Sequence, residues 1–224
     1  MKPVSVLLLV VFALAAGCDR AARVLDRPVA ELAEVQALAE SEDRAALADW
    51  EIRCSFGEPG CARVYEMTGD ACLRLAQDAV AAGRAAEARP QANCARDRYD
   101  ALFRATGEES VSVRGLEALR LSRESAGRIE QAAQVNAALE RRAEANRAAF
   151  PGSGAGDYYL ATTLFWRVAF DRSPDICTDL ERAGSLAAAA AMEAPSRAVL
   201  DIRTAAADVS RRTEVMARER GCPT

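Results

Sequence analysis

The chain has 224 residues, with 29 Lys plus Arg against 33 Asp plus Glu, a formal charge of −4 and no histidine. The missing imidazole excludes a Ser-His-Asp or Cys-His nucleophile pair and an imidazole ligand for haem, zinc or copper. Every basic residue beyond Lys2 is arginine, so no lysine is left for a Walker motif, a Ser-Lys dyad or a Schiff base, and the mild acidity argues against a nucleic-acid partner.

Lys2 forms a short positive start, and Val4 to Ala16 is a run of about 13 almost wholly apolar residues, the length of a signal-peptide core. A membrane span needs roughly 20. Ala15, Ala16 and Gly17 precede Cys18, and the polar run Asp19 to Arg23 follows. The string Leu14-Ala15-Ala16-Gly17-Cys18 resembles the lipobox of bacterial lipoproteins, with Ala15 where leucine is usual. The resemblance implies that residues 1–17 are removed, that Cys18 carries the acyl chains (palmitate among them), and that residues 18–26 form a lipidated tether. Three acyl chains hold a protein firmly, because two anchoring signals already suffice. The implied place is the bacterial cell envelope, facing the periplasm, with the membrane as one partner. Asp19 resembles the inner-membrane retention signal of enteric bacteria; other lineages do not follow it, so the choice of membrane stays open.

With Cys18 taken by lipid, Cys54, Cys61, Cys72, Cys94, Cys177 and Cys222 remain. An even number in an exported chain reads as disulfides, and six cysteines allow 15 pairings. There is no CxxC and no histidine, so no metal site and no cofactor are expected.

Alanine, leucine, glutamate and arginine favour helix, and alternating strand patterns bounded by tight turns are lacking. The expected fold class is all-α. Asp26 and Pro28 open a first helix over 27–53, striped by Val29, Leu32, Val35, Ala39, Leu47 and Trp50. Cys54 to Cys61 is a turn-rich loop that a local bridge would staple. Helices follow over 62–66, 70–82 and 85–106, broken at Gly69 and Gly83, with Pro90 near an end or at a kink. Ser110 caps a helix over 111–126, Gly127 breaks it, and 128–149 returns. FPGSGAGD, Phe150 to Asp157, follows a helix, lacks the G-x-G-x-x-G spacing, and reads as a flexible connector over 151–156, not a phosphate loop. An aromatic helix spans 157–170. Ser173 as N-cap with Pro174 at the first helical position starts the next, striped by Ile176, Leu180, Ala183, Ala187 and Ala190. Pro195 separates it from a last helix over 196–219, ended at Gly221.

Helices joined by short loops are antiparallel neighbours, so 27–150 is expected to be hairpin repeats and 157–224 a further hairpin region packed on the same domain. Two hairpins share a pattern: Leu75 and Ala76, the Gly83 turn, then Ala88 and Ala92; and Leu119, the Gly127 turn, then Ala132. The string GRIEQA, Gly127 to Ala132, resembles the turn and second helix of tetratricopeptide repeats. The resemblance implies a short stacked solenoid, although Gly83 and Gly127 lie about 44 residues apart where the repeat period is 34. Cys72 and Cys94 face each other across one hairpin, resembling the intra-repeat bridges of Sel1-like proteins. Cys177 begins one helix and Cys222 ends its partner. The arms measured from Pro195 are unequal by roughly 13 Å, so that bridge requires the tail to fold back.

Residues 158–170, YYLATTLFWRVAF, hold a cluster of rings. Tyr158, Tyr159, Phe165 and Trp166 are the candidates for a partner-binding surface, with Phe170 beside them; filling the core is the plainer role. Tyr159 and Thr163 are candidates to face water. The charge runs at Glu140–Arg142 and Asp208–Arg220 read as solvated helix faces. Glu109 and Glu124 each precede a serine, and lytic transglycosylases use a glutamate of such a pair as general acid/base. That family's Gly-Leu-Met-Gln and Tyr-Asn-Ala-Gly runs are missing here. The expectation is a noncatalytic scaffold or adaptor for another envelope protein, with a peptidoglycan-acting enzyme using Glu109 or Glu124 as the alternative.

Overall fold

The computed structural model describes residues 30–193 and 201–223. The expected signal peptide, the lipidation site Cys18 and the tether to residue 26 lie outside them. Among the described residues the chain is all-helical, with no strand. Residues 30–40 form α1. It is followed by α2 (Arg44–Ala48), α3 (Cys61–Ala81), α4 (Ala85–Thr106) and α5 (Glu109–Glu124). The remaining helices are α6 (Ile129–Ala149), α7 (Ala155–Ala169), α8 (Ile176–Glu193) and α9 (Ile202–Glu219). No described helix is long and apolar enough to cross a membrane.

Spacing explains which faces pack. In α3, Val64, Thr68, Cys72, Ala76 and Ala79 recur at three and four and are buried; in α4, Ala88, Ala92, Ala95, Tyr99 and Leu102 do the same. From α3 onward each helix packs on its successor in the chain, and contacts also join α3 to α5, α5 to α7 and α7 to α9. Two apolar clusters result. One gathers Val64, Leu73, Tyr99 and Leu102; the other gathers Leu139, Tyr159, Leu164 and Ala187. Helix α5 belongs to both, sending Val111, Ala118 and Leu121 to the first and Leu116 and Leu119 to the second.

The six cysteines form three pairs at disulfide distance: Cys54 with Cys61, Cys72 with Cys94, and Cys177 with Cys222. Their Cα separations, 5.6, 5.9 and 5.4 Å, suit such bridges. The tail does fold back. Gly221 is left-handed at φ 70°, its N–H reaches Arg218 O at 3.1 Å, and the Cys222 N–H reaches Ala217 O at 2.9 Å, the paired bonds of a Schellman ending.

Several expected boundaries move. The first helix does not run to residue 53. Glu42 turns left-handed at φ 59°, and Asp43 caps α2 by accepting from Ala46 N at 3.0 Å. The non-helical stretch after α2 is tied down by side chains. Glu31 Oε1 accepts from Trp50 Nε1 and from Arg53 N, both at 3.0 Å, and Arg98 donates to Trp50 O at 2.7 Å. Gly69 breaks nothing: α3 runs through it, because a Cβ there would stand 3.2 Å from the Tyr99 ring and the missing side chain lets the ring close on the helix. Pro90 lies inside α4. Helix α5 starts at Glu109, after Glu108, one residue before the expected cap Ser110. The cap of α8 is Asp175, which accepts from Thr178 N at 3.0 Å and Thr178 Oγ1 at 2.9 Å. Ser173 instead donates to Asp179 at 2.8 Å, so Pro174 precedes the cap. Helix α9 begins at Ile202, capped by Asp201 through Thr204 N at 3.0 Å. In the glycine-rich segment, Gly154 is the left-handed residue before α7 and Gly156 belongs to that helix.

Candidate functional site

Helices α5, α6, α7 and α9, with the α5–α6 turn, border one groove of about 650 Å³. Tyr158, Thr162, Phe165, Trp166, Ala169 and Phe170 line it from α7 and its end. These positions recur at three and four along α7, one face of the helix. From α5 come Arg120, Arg123 and Glu124, from the turn Arg128, and from α9 Asp208, Val209 and Arg212. Trp166 and Phe170 pair with ring centroids 4.9 Å apart.

Beneath the groove lies a buried ionic network. Glu117 is 4% exposed. It takes a two-pronged bond from Arg120, Nε at 2.8 Å and Nη2 at 2.7 Å. It also accepts from Tyr159 Oη at 3.1 Å and from Gln77 Nε2 at 3.4 Å. Burial pushes the Glu117 carboxyl up, but the Arg120 charge and these hydrogen bonds outweigh it and hold the group below its ordinary 4.5. Arg120 reaches Glu124 as well, Nη1 to Oε1 at 2.5 Å. Its pKa is raised: burial lowers it, and Glu117 and Glu124 more than compensate.

Arg123 is different. It donates to Asn136 Oδ1 at 2.8 Å and Thr162 O at 3.2 Å, both uncharged, and its closest carboxylate oxygen stands 3.8 Å away on Glu124. Burial pushes its pKa down to about 10, with Glu124 only partly opposing. Burial also raises Tyr158, to about 12.

Three of the four ring candidates line the groove, Tyr158, Phe165 and Trp166, and of these Tyr158 and Trp166 are themselves largely buried, at 8% and 7% exposed. Tyr159 does not. It is fully buried, with its hydroxyl on Glu117, so it is a core residue and not a partner-binding one. Thr163 is fully buried too, its hydroxyl on Leu160 O at 2.8 Å. Successive helix residues point about 100° apart, which sends Tyr158 and Tyr159 to different surroundings. Glu124 lines the groove, whereas Glu109 sits at the other end of α5, about 22 Å away at the helical rise. Among the described residues no group of His, Cys, Asp or Glu is placed to hold a metal ion. Glu117, Arg123 and Asn136 were not singled out by the sequence. Glu117 and Arg120 carry the i,i+3 signal of an ion pair, but that spacing reads equally well as a solvated pair.

Comparison of the chain with known protein families, with characterised proteins and with solved structures finds no match.

Proposed function

We propose that the chain is a lipid-anchored envelope protein facing the periplasm, a noncatalytic scaffold whose helices form a short tetratricopeptide-like solenoid holding another envelope protein. The observation that carries this reading is a groove lined by the alternate helices α5, α7 and α9, together with the first turn of α6. Stacked hairpins place every second helix on one face, and that face is where extended partners bind. The contacts of α3 with α5, α5 with α7 and α7 with α9 follow this order. Ala76, Ala88, Ala92 and Ala132 are buried around the Gly83 and Gly127 turns, as close-packed hairpins require. The Leu14–Cys18 string and the three cysteine pairs favour an exported, tethered protein.

A photo-crosslinking residue at Phe165 in living cells should capture one envelope protein, and the same residue on exposed Arg141 should not. Capture of lipid-neighbour background alone would end the scaffold reading. Globomycin should accumulate an uncleaved precursor, and normal processing of Cys18→Ser would remove the anchor. The enzymatic alternative has one observation in its favour, the place of Glu124 in the groove. Its carboxylate lies between two guanidinium groups, at 2.5 and 3.8 Å, unlike the apolar pocket that keeps a general acid protonated. Release of muropeptides from purified peptidoglycan, lost in Glu124→Gln or Glu109→Gln, would establish it.

A further inference from the structure

The groove carries positive charge that the fold leaves unmatched. Arg123 is 5% exposed, its Nη1 is bonded only to neutral oxygens, and its Nε has no acceptor. The one carboxylate near it, Glu124, is already committed to Arg120 at 2.5 Å. A buried guanidinium without a carboxylate of its own keeps most of its desolvation penalty. Arg128, at the mouth, makes no ion pair or side-chain hydrogen bond among the described residues, and it is exposed. Across the groove Asp208 is taken up by Arg211 at 3.1 Å and Arg212 at 2.7 Å. Four arginines therefore line the groove against two carboxylates, and both carboxylates are engaged. Trp166 and Phe170 line the same groove, the first 7% and the second 52% exposed.

We propose that the groove takes an acidic, apolar peptide segment of the partner protein. An Asp, Glu or C-terminal carboxylate bonds Arg123 and Arg128, and a neighbouring aromatic or aliphatic side chain lies on Trp166 and Phe170. This rests on the protein-holding reading above and specifies its partner's chemistry. The volume is enough for several side chains and not for a folded domain. Guanidinium and carboxylate form strong, directional pairs, and the burial of Arg123 strengthens the pair made there.

Random dodecapeptides displayed on phage and selected on the full-length chain test this. Recovered sequences should carry Asp or Glu within two residues of an aromatic or aliphatic one. A recovered peptide should bind about tenfold more weakly to Arg123→Gln, a charge-assisted bond's worth of affinity. Replacing the peptide's acid by its amide should cost about as much on the unaltered chain and little on Arg123→Gln, the signature of direct pairing. Arg128→Glu, at an exposed position, should weaken binding about threefold and keep the test open if Arg123→Gln fails to fold. Basic or purely apolar sequences, or affinities indifferent to both variants, would overturn the acidic-segment inference and leave the scaffold standing. Recovery of no binding peptide would overturn both.

Discussion

Two tyrosines on opposite sides of α5 end in the same kind of network. Tyr99 of α4 donates to Asp70 at 2.5 Å, and Arg114 of α5 bridges Asp70 at 3.3 Å and Glu66 at 2.9 Å. Tyr159 of α7 donates to Glu117, and Arg120 of α5 bridges Glu117 and Glu124. Surroundings separate them. The Asp70 side chain is 34% exposed, whereas that of Glu117 is 5% exposed. Around the first network, α3 and α4 bury alanines, Gly69 and Cys72, with Cys94 partly buried against it. Around the second, rings and long arginines meet, and the space they do not fill is the groove. Small residues let helices approach with near-complete packing.

The largest effects should come from the cross-links on the two sides. Replacing Cys177 and Cys222 by serine should remove about 4 kcal/mol of stability, and replacing Cys72 and Cys94 about 3, because loop-closure entropy grows with the separations of 45 and 22 residues. Urea unfolding of the two double variants would show whether that order holds; the reverse would locate the critical staple in the α3–α4 hairpin.

Glu117→Ala should cost about 3 kcal/mol, since removing one partner of a buried pair strands the other, while Asp70→Ala should cost about 1. Equal losses would break the contrast between the networks. The pH dependence has a definite sign. Glu117 titrates below its ordinary 4.5 in the folded chain, so its contribution is complete above that value and is lost as pH falls through the folded pKa. Urea midpoints between pH 6 and 3 should decline less steeply in Glu117→Gln.

Gly156→Ala should lose about 2 kcal/mol. Its Cβ would stand 2.7 Å from the Arg147 backbone, which cannot swing aside. Gly69→Ala, facing the Tyr99 ring at 3.2 Å, should change stability by less than about 1, because alanine's helix preference offsets a small ring shift. Thermal melts of both would sharpen the difference between backbone and side-chain neighbours. The smallest effects are gains. Glu42 and Asp171 are left-handed helix endings at φ 59° and 52°, so Glu42→Gly and Asp171→Gly should each add about 0.5–1 kcal/mol. Asp171 gives up only an exposed ion pair to Arg220 at 3.2 Å, which subtracts little.

The linear chain determined what is local and periodic. The all-helical class, the endings at Gly83 and Gly221, and the stripe of α8 through Leu180, Ala183, Ala187 and Ala190 follow from propensity and spacing, as does an even set of cysteines apart from Cys18. The fold-back that joins Cys177 to Cys222 was legible as a requirement, because helix length is a fixed rise per residue. Tertiary structure alone decided the rest. Gly69 reads as a helix break until Tyr99 is seen over it, and Glu42 reads as helix interior until the chain turns there. Tyr159 reads like its neighbour Tyr158, and Arg123 like any surface arginine. Burial is a property of three helices meeting at once. Where α5, α6 and α7 converge, Arg123 loses its water while Phe170, on the same groove, keeps half of its surface exposed.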